Sequence, residues 1–270
     1  MEWLFTEVGE NFSDRIRSAA AHGVAGVELW GWRTLDLNAI ESALLQSGTS
    51  LVSMTVDPSV DITDTENHAA YLDAVEESLA VAQRLGSPLL VTTAGRFIPH
   101  LTPSRQRAAV VSALTEAVQI LEGASQTLLL EPLNCRVDHK GTYLSSTAEG
   151  LAIVEEVSRP QLKLLLDAYH ALMMGEDLRS EVANRMSLIG HVQIADMPGR
   201  HEPGSGDVDW TGLVCTLLDL GYRGPVGLEY MPTCETRESM AFFETVLRTV
   251  EVLQGCSDAD YWINRLHEQQ

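Results

Sequence analysis

Residues 127–134 read TLLLEPLN, an apolar run that ends on a single acidic residue, Glu131. The same pattern recurs in LKLLLDAYH at 162–170, IGHVQIAD at 189–196 and GPVGLEY at 224–230. The polar residues that close these runs are Asp167, Gln193 and Glu229, so the intervals along the chain are 36, 26 and 36 residues. That spacing is about one strand, one helix and two loops, and it predicts four polar residues on four neighbouring strands of a repeating β/α structure.

Each of these four side chains offers an oxygen atom beside a strongly apolar run. A buried ionised carboxylate is costly unless it is paired or bound to a metal, and hard divalent cations prefer oxygen ligands. The alternative is that the four residues are unrelated and that each is salt-bridged or solvated at its own strand end. This alternative explains any single residue well, but it explains the recurrence of all four poorly. The pattern predicts an oxygen-rich metal site.

Short apolar runs alternate with segments of helical period from one end of the chain to the other. The predicted strands are EWLFTEV (2–8), GVAGVELW (23–30), LVSMTVD (51–57), SPLLVTTAG (87–95) and the four segments quoted above. Several of the intervening segments begin with Ser, Thr or Asp and end with Gly, as helices do. Eight such units predict an α/β protein with a (β/α)8 TIM-barrel fold.

The barrel is predicted to be a single domain over residues 1–270, because no linker or change in composition divides the chain. The last segment, SDADYWINRLHEQQ at 257–270, is predicted to be a short helical extension. A doubly wound open sheet is the alternative fold, but it favours a GxGxxG turn after the first strand, where this chain has VGENFSDR. In a barrel, functional groups gather at the carboxyl ends of the strands, where the four polar residues fall.

Composition and the absence of certain sequence signals disfavour several functional classes. The formal net charge is −20, from 18 Lys and Arg against 38 Asp and Glu, which disfavours binding to nucleic acid and to anionic membranes. No basic start with an apolar run and no long apolar stretch is present, so export and membrane spanning are unsupported. The four cysteines form no CxxC pair, which predicts a reduced, cytoplasmic protein.

Residues 191–210, HVQIADMPGRHEPGSGDVDW, carry a family resemblance together with LLLEPLN at 128–134, GLEYMP at 227–232 and LFTEV at 4–8. This chain resembles the hydroxypyruvate isomerase family, which lies in the xylose isomerase-like TIM-barrel superfamily with ketose 3-epimerases and endonuclease IV. The resemblance implies that Glu131, Asp167, Gln193 and Glu229 bind one divalent ion, Mg²⁺ or Mn²⁺. It also assigns proton transfer to Glu131 and Glu229. Gln193 is informative because ketose 3-epimerases usually have a histidine at that position.

Candidate substrate contacts lie near the same strand ends. The resemblance assigns this role to His170 and Arg200, and a guanidinium suits a planar carboxylate. His191 is two residues before Gln193, so both should face the barrel interior if the strand is regular. His201 lies in the irregular loop RHEPGSGD, and loops at that barrel face carry function. For His170 and His191, a hydrogen-bonded supporting role is the alternative.

The chemistry of such a site is the movement of a carbonyl group along a carbon chain. A proton must leave the carbon next to the carbonyl, and the resulting enediolate needs a cation and two acid–base groups. The predicted enzyme is an intramolecular oxidoreductase of the aldose–ketose type, with hydroxypyruvate to tartronate semialdehyde (2-hydroxy-3-oxopropanoate) as the type reaction and a small keto acid or sugar as substrate.

Other functions remain open on the sequence. A ketose 3-epimerase or a dehydratase of the same superfamily would use the same ligands. Segments 54–73 and 135–143 differ from the family pattern, which leaves the substrate undecided. A DNA-repair endonuclease would need a histidine-rich multi-zinc site and a basic face, and the sequence shows neither. A barrel that binds a ligand without turnover is a further class. Apolar rim positions with Tyr261 and Trp262 predict a homo-oligomer.

Overall fold

The structure is a computed structural model that describes residues 3–254. Within this range, seven parallel strands form one sheet, and each strand pairs with the next one in the sequence. The strands are β1 Gly26–Leu29, β2 Ser50–Thr55, β3 Leu89–Thr93, β4 Thr127–Glu131, β5 Leu162–Asp167, β6 Ile189–Ile194 and β7 Val226–Leu228. This is the order of a nearly closed β/α barrel, so the predicted TIM-barrel class is confirmed.

Helices connect the strands. They are α1 Phe12–Ala21, α2 Leu37–Ser47, α3 His68–Leu85, α4 Pro103–Ile120, α5 Thr147–Val157, α6 Ala168–Met174, α7 Leu178–Val182, α8 Trp210–Asp219 and α9 Thr236–Gln254. Their ends follow local chemistry: Asp36 caps α2 by accepting from Asn38 N at 3.0 Å, and Gly48 ends the same helix in the left-handed conformation. The predicted helical extension at 257–270 lies outside the described residues.

The first predicted strand, at 2–8, is wrong over the residues that the structure describes. Thr6–Val8 is a short 3₁₀ helix, and Phe5 has a left-handed backbone with φ 58°. Phe5 N donates to Thr236 Oγ1 at 2.8 Å, so this amide is committed to the start of α9 and not to a neighbouring strand.

No pairing joins β1 to β7 in the described range, and a cavity of about 810 Å³ is lined by residues of both strands, including Val27 and Gly227.

A short helix replaces the predicted continuation of the strand after Asp167. The Asp167 side chain accepts from Tyr169 N at 2.8 Å and His170 N at 3.4 Å, which caps the first turn of α6. Gly175, with φ 82°, ends the helix. His170 is therefore held on a helical turn above the strand.

Strand alternation places the site above a small apolar core inside the barrel. Val91, Leu129 and Leu165 form a cluster separate from the larger core between the sheet and the helices. Leu129 lies two residues before Glu131, and Leu165 two before Asp167, so each acidic residue shares the interior face with an apolar one. The two acids thus stand on the same side as the interior core, at the carboxyl ends of their strands.

Among the described helices, none combines the length and apolarity needed to cross a bilayer.

Candidate active site

The four predicted metal ligands meet at the carboxyl end of the barrel. Glu131 ends β4, Asp167 ends β5, and Gln193 pairs with Asp167 in the register of β5 and β6. Glu229 directly follows β7, and its backbone N–H donates to Ile194 O at 3.1 Å. Asp167 and Gln193 are buried, and the side chains of Glu131 and Glu229 are 12% and 10% exposed.

His170 joins the acidic residues, as predicted. Its Nε2 lies 3.5 Å from Asp167 Oδ2 and 3.9 Å from Glu131 Oε1. Ligand atoms of these three residues lie within 4.8 Å of one another, a grouping that could hold a metal ion. Burial is the main cause that lowers the pKa of His170 to about 4, against the opposing charge of Asp167. The imidazole is therefore neutral near pH 7.

Arg200 supplies the positive charge of the site. Its Nη2 lies 3.0 Å from Asp167 Oδ2 and 3.2 Å from Glu229 Oε1, so one guanidinium nitrogen bridges two of the predicted ligands. The guanidinium carbon lies 5.1 Å from the ring centre of Trp3 and 5.0 Å from that of Tyr169. Stacking between two aromatic rings fixes this cation in a buried position.

The carboxylates of the site are poorly neutralised. Burial raises the pKa of Glu131 to about 8, and the charge of Asp167 adds to this rise while Arg200 opposes it. Burial likewise raises the pKa of Glu229 well above its ordinary value, although Arg200 again acts in the opposite sense. Three carboxylates and one guanidinium give a formal charge of −2 when all are ionised. A divalent cation would balance it.

Two buried oxygen atoms at the site have no hydrogen-bond partner. They are Gln193 Oε1 and Glu229 Oε2. Buried acceptors are rarely left unsatisfied, and both atoms are of the type that Mg²⁺ and Mn²⁺ prefer. The donor set therefore fits a hard divalent ion held by Glu131, Asp167, Gln193 and Glu229.

Glu28, near the end of β1, accepts a hydrogen bond from the Gln193 amide and so holds its orientation. It accepts from Gln193 Nε2 at 3.2 Å and from Ser53 Oγ at 2.9 Å, and it pairs with His191 Nε2. Burial opposes ionisation of Glu28, but the charge and hydrogen bond of His191 outweigh it and lower the pKa to about 2. A side chain at position 227 would collide with this carboxylate, since an added Cβ would lie 2.5 Å from Glu28 Oε2.

His191 faces the barrel interior, as strand alternation predicts. It is fully buried, and its Nε2 is paired with Glu28. This placement favours a supporting role, the alternative left open by the sequence, over a substrate contact. Glu28 lies in the run VELW at 27–30, and from the sequence alone a salt bridge at the rim explains this residue as well as a role in the site does. Its partners His191 and Gln193 are 163 and 165 residues away, and no local pattern reports that proximity.

His201 lies on the loop that follows β6. Its Nδ1 is 2.8 Å from Met231 O, and Arg200 O accepts from Met231 N at the same distance. The loop is folded onto Asp196, whose carboxylate accepts from Gly204 N and from Trp210 Nε1 at 2.6 and 2.9 Å. This loop is therefore fixed at the rim of the site, and substrate contact by His201 stays a prediction.

Known proteins match this chain over most of its length. The family model described as xylose isomerase-like TIM barrel matches residues 16–246. The chain belongs to this family. A Xenopus laevis protein named "Putative hydroxypyruvate isomerase" is 32% identical over 265 residues, which cover 93% of this chain and 95% of that protein.

Two further matches extend the comparison. A 2-oxo-tetronate isomerase from Cupriavidus necator is 29% identical, covering 87% of this chain and 93% of that protein. The crystal structure of AP endonuclease, family 2, from Brucella melitensis has a TM-score of 0.83 with 29% identity, over 90% of this chain and 95% of that one. The relationship to the hydroxypyruvate isomerase family confirms the predicted enzyme class, an isomerase.

Proposed function

We propose that the protein isomerises a short 2-keto acid with a neighbouring hydroxyl group, with hydroxypyruvate as the type substrate, and that it does so with one bound Mg²⁺ or Mn²⁺. The observation that carries the proposal is the charge imbalance of the site: Glu131, Asp167 and Glu229 are buried around the single guanidinium of Arg200. Such a site has an excess of acid–base groups together with one cation that suits a substrate carboxylate.

Two glutamates would move the proton between carbon atoms. In hydroxypyruvate, one of Glu131 and Glu229 takes a proton from C3, the C–H electrons form the C2–C3 double bond, and charge moves to the C2 oxygen. The other glutamic acid delivers a proton to C2, while the hydroxyl proton passes from the C3 oxygen to the C2 oxygen, which gives tartronate semialdehyde. A bound divalent ion would stabilise negative charge on the substrate oxygens.

The two carboxylate oxygens of Glu229 have different surroundings. Oε1 lies beside Arg200, whereas Oε2 has no partner. Burial keeps both glutamates basic, because desolvation raises the pKa of each. The polar contacts of the Arg200 side chain in the described residues are made by Nε, with Glu229 O, and by Nη2, with Asp167 Oδ2 and Glu229 Oε1, which leaves Nη1 for a substrate carboxylate. This favours a keto acid over a neutral ketose, the substrate of the alternative 3-epimerase reaction.

The name of the Brucella melitensis structure raises a DNA-directed function. The net charge of −20 opposes contact with a phosphate backbone, and the only metal-type cluster found among residues 3–254 contains one histidine. A histidine-rich zinc centre is therefore not supported in the described part of the chain, and we retain the isomerase proposal.

A substrate panel tests the proposal. Metal-depleted protein is reloaded with Mg²⁺ or Mn²⁺ and incubated with hydroxypyruvate, 2-oxo-tetronate and four- to six-carbon ketoses, and the products are followed by NMR. We expect tartronate semialdehyde from hydroxypyruvate in the reloaded sample and none in the depleted one. Inversion at C3 of a ketose alone would replace the proposal by an epimerase, and loss of water by a dehydratase. No turnover of any substrate after reloading would reject it.

A further inference from the structure

Asn134 lies beside the active site and has a fixed orientation. It follows Glu131 by three residues and is fully buried. Its Oδ1 accepts from Val137 N and from Asp138 N, both at 3.1 Å. Backbone N–H groups can only donate, so the oxygen of the amide must be on this side. The nitrogen, Nδ2, then lies on the other side, at 2.6 Å from Asp138 Oδ2 and 2.7 Å from His170 Nδ1.

The reverse orientation of the amide is excluded by the same contacts. It would set the Asn134 nitrogen against two backbone donors and its oxygen against the Asp138 carboxylate, so that like groups would face each other on both sides. Asp138 is itself held in place, because its Oδ2 also accepts from the Tyr169 hydroxyl at 2.9 Å. Asn134 therefore presents its Nδ2 donor to His170. Two backbone N–H groups and the Asp138 carboxylate fix this orientation, and the Tyr169 hydroxyl holds that carboxylate.

An amide nitrogen has no acceptor lone pair, so His170 Nδ1 must be the acceptor in this contact. A neutral imidazole carries one proton, which is then on Nε2. Rotation of the ring by 180° would put a carbon atom opposite Asn134 Nδ2 and lose the bond. We infer that Asn134 is a positioning residue that fixes His170 as the Nε2–H tautomer, with this N–H directed to the carboxylates of Asp167 and Glu131.

The first consequence concerns the metal. A histidine that binds a metal through one nitrogen usually donates from the other nitrogen to a carboxylate or carbonyl group. His170 has the opposite arrangement, because a donor occupies Nδ1, and Nε2 keeps its proton. His170 is therefore not a ligand, although it lies within reach of Glu131 and Asp167. The ion is left to the oxygen atoms of the site.

The second consequence concerns the reaction and rests on the proposed function. The Nε2–H group of a neutral imidazole donates a hydrogen bond to a substrate oxygen that gains negative charge in the enediolate. Proton transfer at carbon stays with Glu131 and Glu229. Asn134 keeps the proton of His170 on Nε2, since the other neutral tautomer would leave Asn134 Nδ2 without an acceptor at Nδ1.

Nitrogen NMR of protein labelled with ¹⁵N-histidine reads the tautomer directly at a fixed neutral pH. We expect His170, assigned from the signal that is lost in His170→Gln, to show a protonated Nε2 and an unprotonated Nδ1. This pattern should persist when Mg²⁺ or Zn²⁺ is added. A protonated Nδ1 in the metal-free protein, or loss of the Nε2 proton on addition of metal, would overturn the inference.

A charge-conserving exchange tests the role of Asn134. In the double variant N134D/D138N, residue 134 presents an acceptor to His170 Nδ1, so a proton should appear on Nδ1. In Asn134→Ala the constraint is removed without a new acceptor, and the signals should show a mixture of tautomers. Asp138→Asn alone is the matched control, because Asn134 keeps its backbone contacts there and the Nε2–H pattern should remain. An Nε2–H pattern unchanged in both N134D/D138N and Asn134→Ala would refute the role of Asn134.

Turnover of hydroxypyruvate provides a second, separate readout. Loss of a single donor to a developing oxyanion costs about 10² in rate, so kcat of N134D/D138N should fall about 10²-fold with KM nearly unchanged, and kcat of Asn134→Ala, with its mixture of tautomers, should fall by less. If the tautomer changes while kcat does not, the donor role in catalysis is wrong and the tautomer assignment stands. If the wild-type protein converts no substrate, the proposed function fails, and the NMR result still decides the tautomer. A well-folded N134D/D138N is not required, because the wild-type and Asn134→Ala spectra are sufficient.

Discussion

Gln193 donates from Nε2 to Glu28 Oε2 at 3.2 Å, and this contact determines which end of its amide faces the site. The oxygen Oε1 is left buried without a partner, in the position of a metal ligand. Removing the acceptor in Glu28→Ala should free the amide to rotate and leave His191 unpaired. We expect the affinity for Mn²⁺, measured by titration calorimetry, to fall about 10- to 100-fold, as for other groups that orient a ligand.

Ser53→Ala is the matched control for Glu28. It removes a hydrogen bond of 2.9 Å to Glu28 Oε1, whereas Gln193 donates to the other oxygen, Oε2. Its Mn²⁺ affinity should stay within about threefold of the wild-type value, because the orientation of Gln193 is retained. Equal losses in both variants would mean that Glu28 acts through general stability, and unchanged affinity in Glu28→Ala would contradict the orienting role.

Arg200 has two opposite effects on the site, which Arg200→Gln should separate. The guanidinium neutralises Asp167 and Glu229 in the metal-free protein, so its loss should lower the melting temperature without metal. The same change removes a positive charge beside the ion and should increase the additional stabilisation gained with Mg²⁺. For the keto acid, kcat/KM should fall about 10²-fold, as expected when a charged hydrogen-bond partner worth about 3 kcal/mol is removed.

Arg105→Gln is the control for this variant. Arg105 is an exposed arginine near the start of α4, so the same change in charge occurs away from the carboxylates. Melting curves with and without Mg²⁺, together with steady-state kinetics, should match the wild-type protein. If Arg200→Gln gains no more stability from Mg²⁺ than Arg105→Gln does, the hypothesis that Arg200 and the metal compete electrostatically is wrong.

Glu131→Gln and Glu229→Gln should each lower kcat by about 10² to 10⁴, the usual contribution of an acid–base group. If the two glutamates act on different carbons, at least one variant should still exchange the C3 hydrogen of hydroxypyruvate with deuterium from D₂O while forming no product. NMR detects both events in one sample. Glu122→Gln, an exposed change after α4, is the control, and wild-type turnover in both site variants would refute the assignment.

Local sequence patterns were sufficient for the parts of the site that lie on strand ends. Glu131, Asp167 and Gln193 are where alternation and β/α spacing predict them, because the barrel repeats one local unit. Phe5 shows the limit of this reasoning: EWLFTEV has the composition of a strand, but the Phe5 amide is bonded to Thr236, 231 residues away. Glu28 was undecided for a similar reason, since its buried partner His191 comes from the other half of the chain.

The raised pKa of Glu131 gives the metal-free protein a specific dependence on pH. In the unfolded chain this carboxyl titrates near 4.5, and in the folded protein its pKa is about 8, with burial as the first cause. Between these values the folded state binds more protons, so this group lowers the free energy of unfolding as pH rises. His170 has the opposite effect, because its pKa falls from 6.5 to about 4 on folding and its contribution rises with pH over that interval.

The unfolded His170 side chain is still half protonated at pH 6.5, so its contribution to the unfolding free energy levels off only about one pH unit higher. The difference in slope between the wild-type protein and Glu131→Gln therefore isolates the carboxylate. Metal-free protein should lose about 1.4 kcal/mol of unfolding free energy per pH unit for each extra proton bound by the folded state. Urea titrations at a series of pH values measure this slope. Saturating Mg²⁺ should abolish it, because the ion replaces the proton, and Glu131→Gln should reduce it without metal. A metal-free slope of zero, or a slope that Mg²⁺ leaves unchanged, would contradict a metal site built on Glu131.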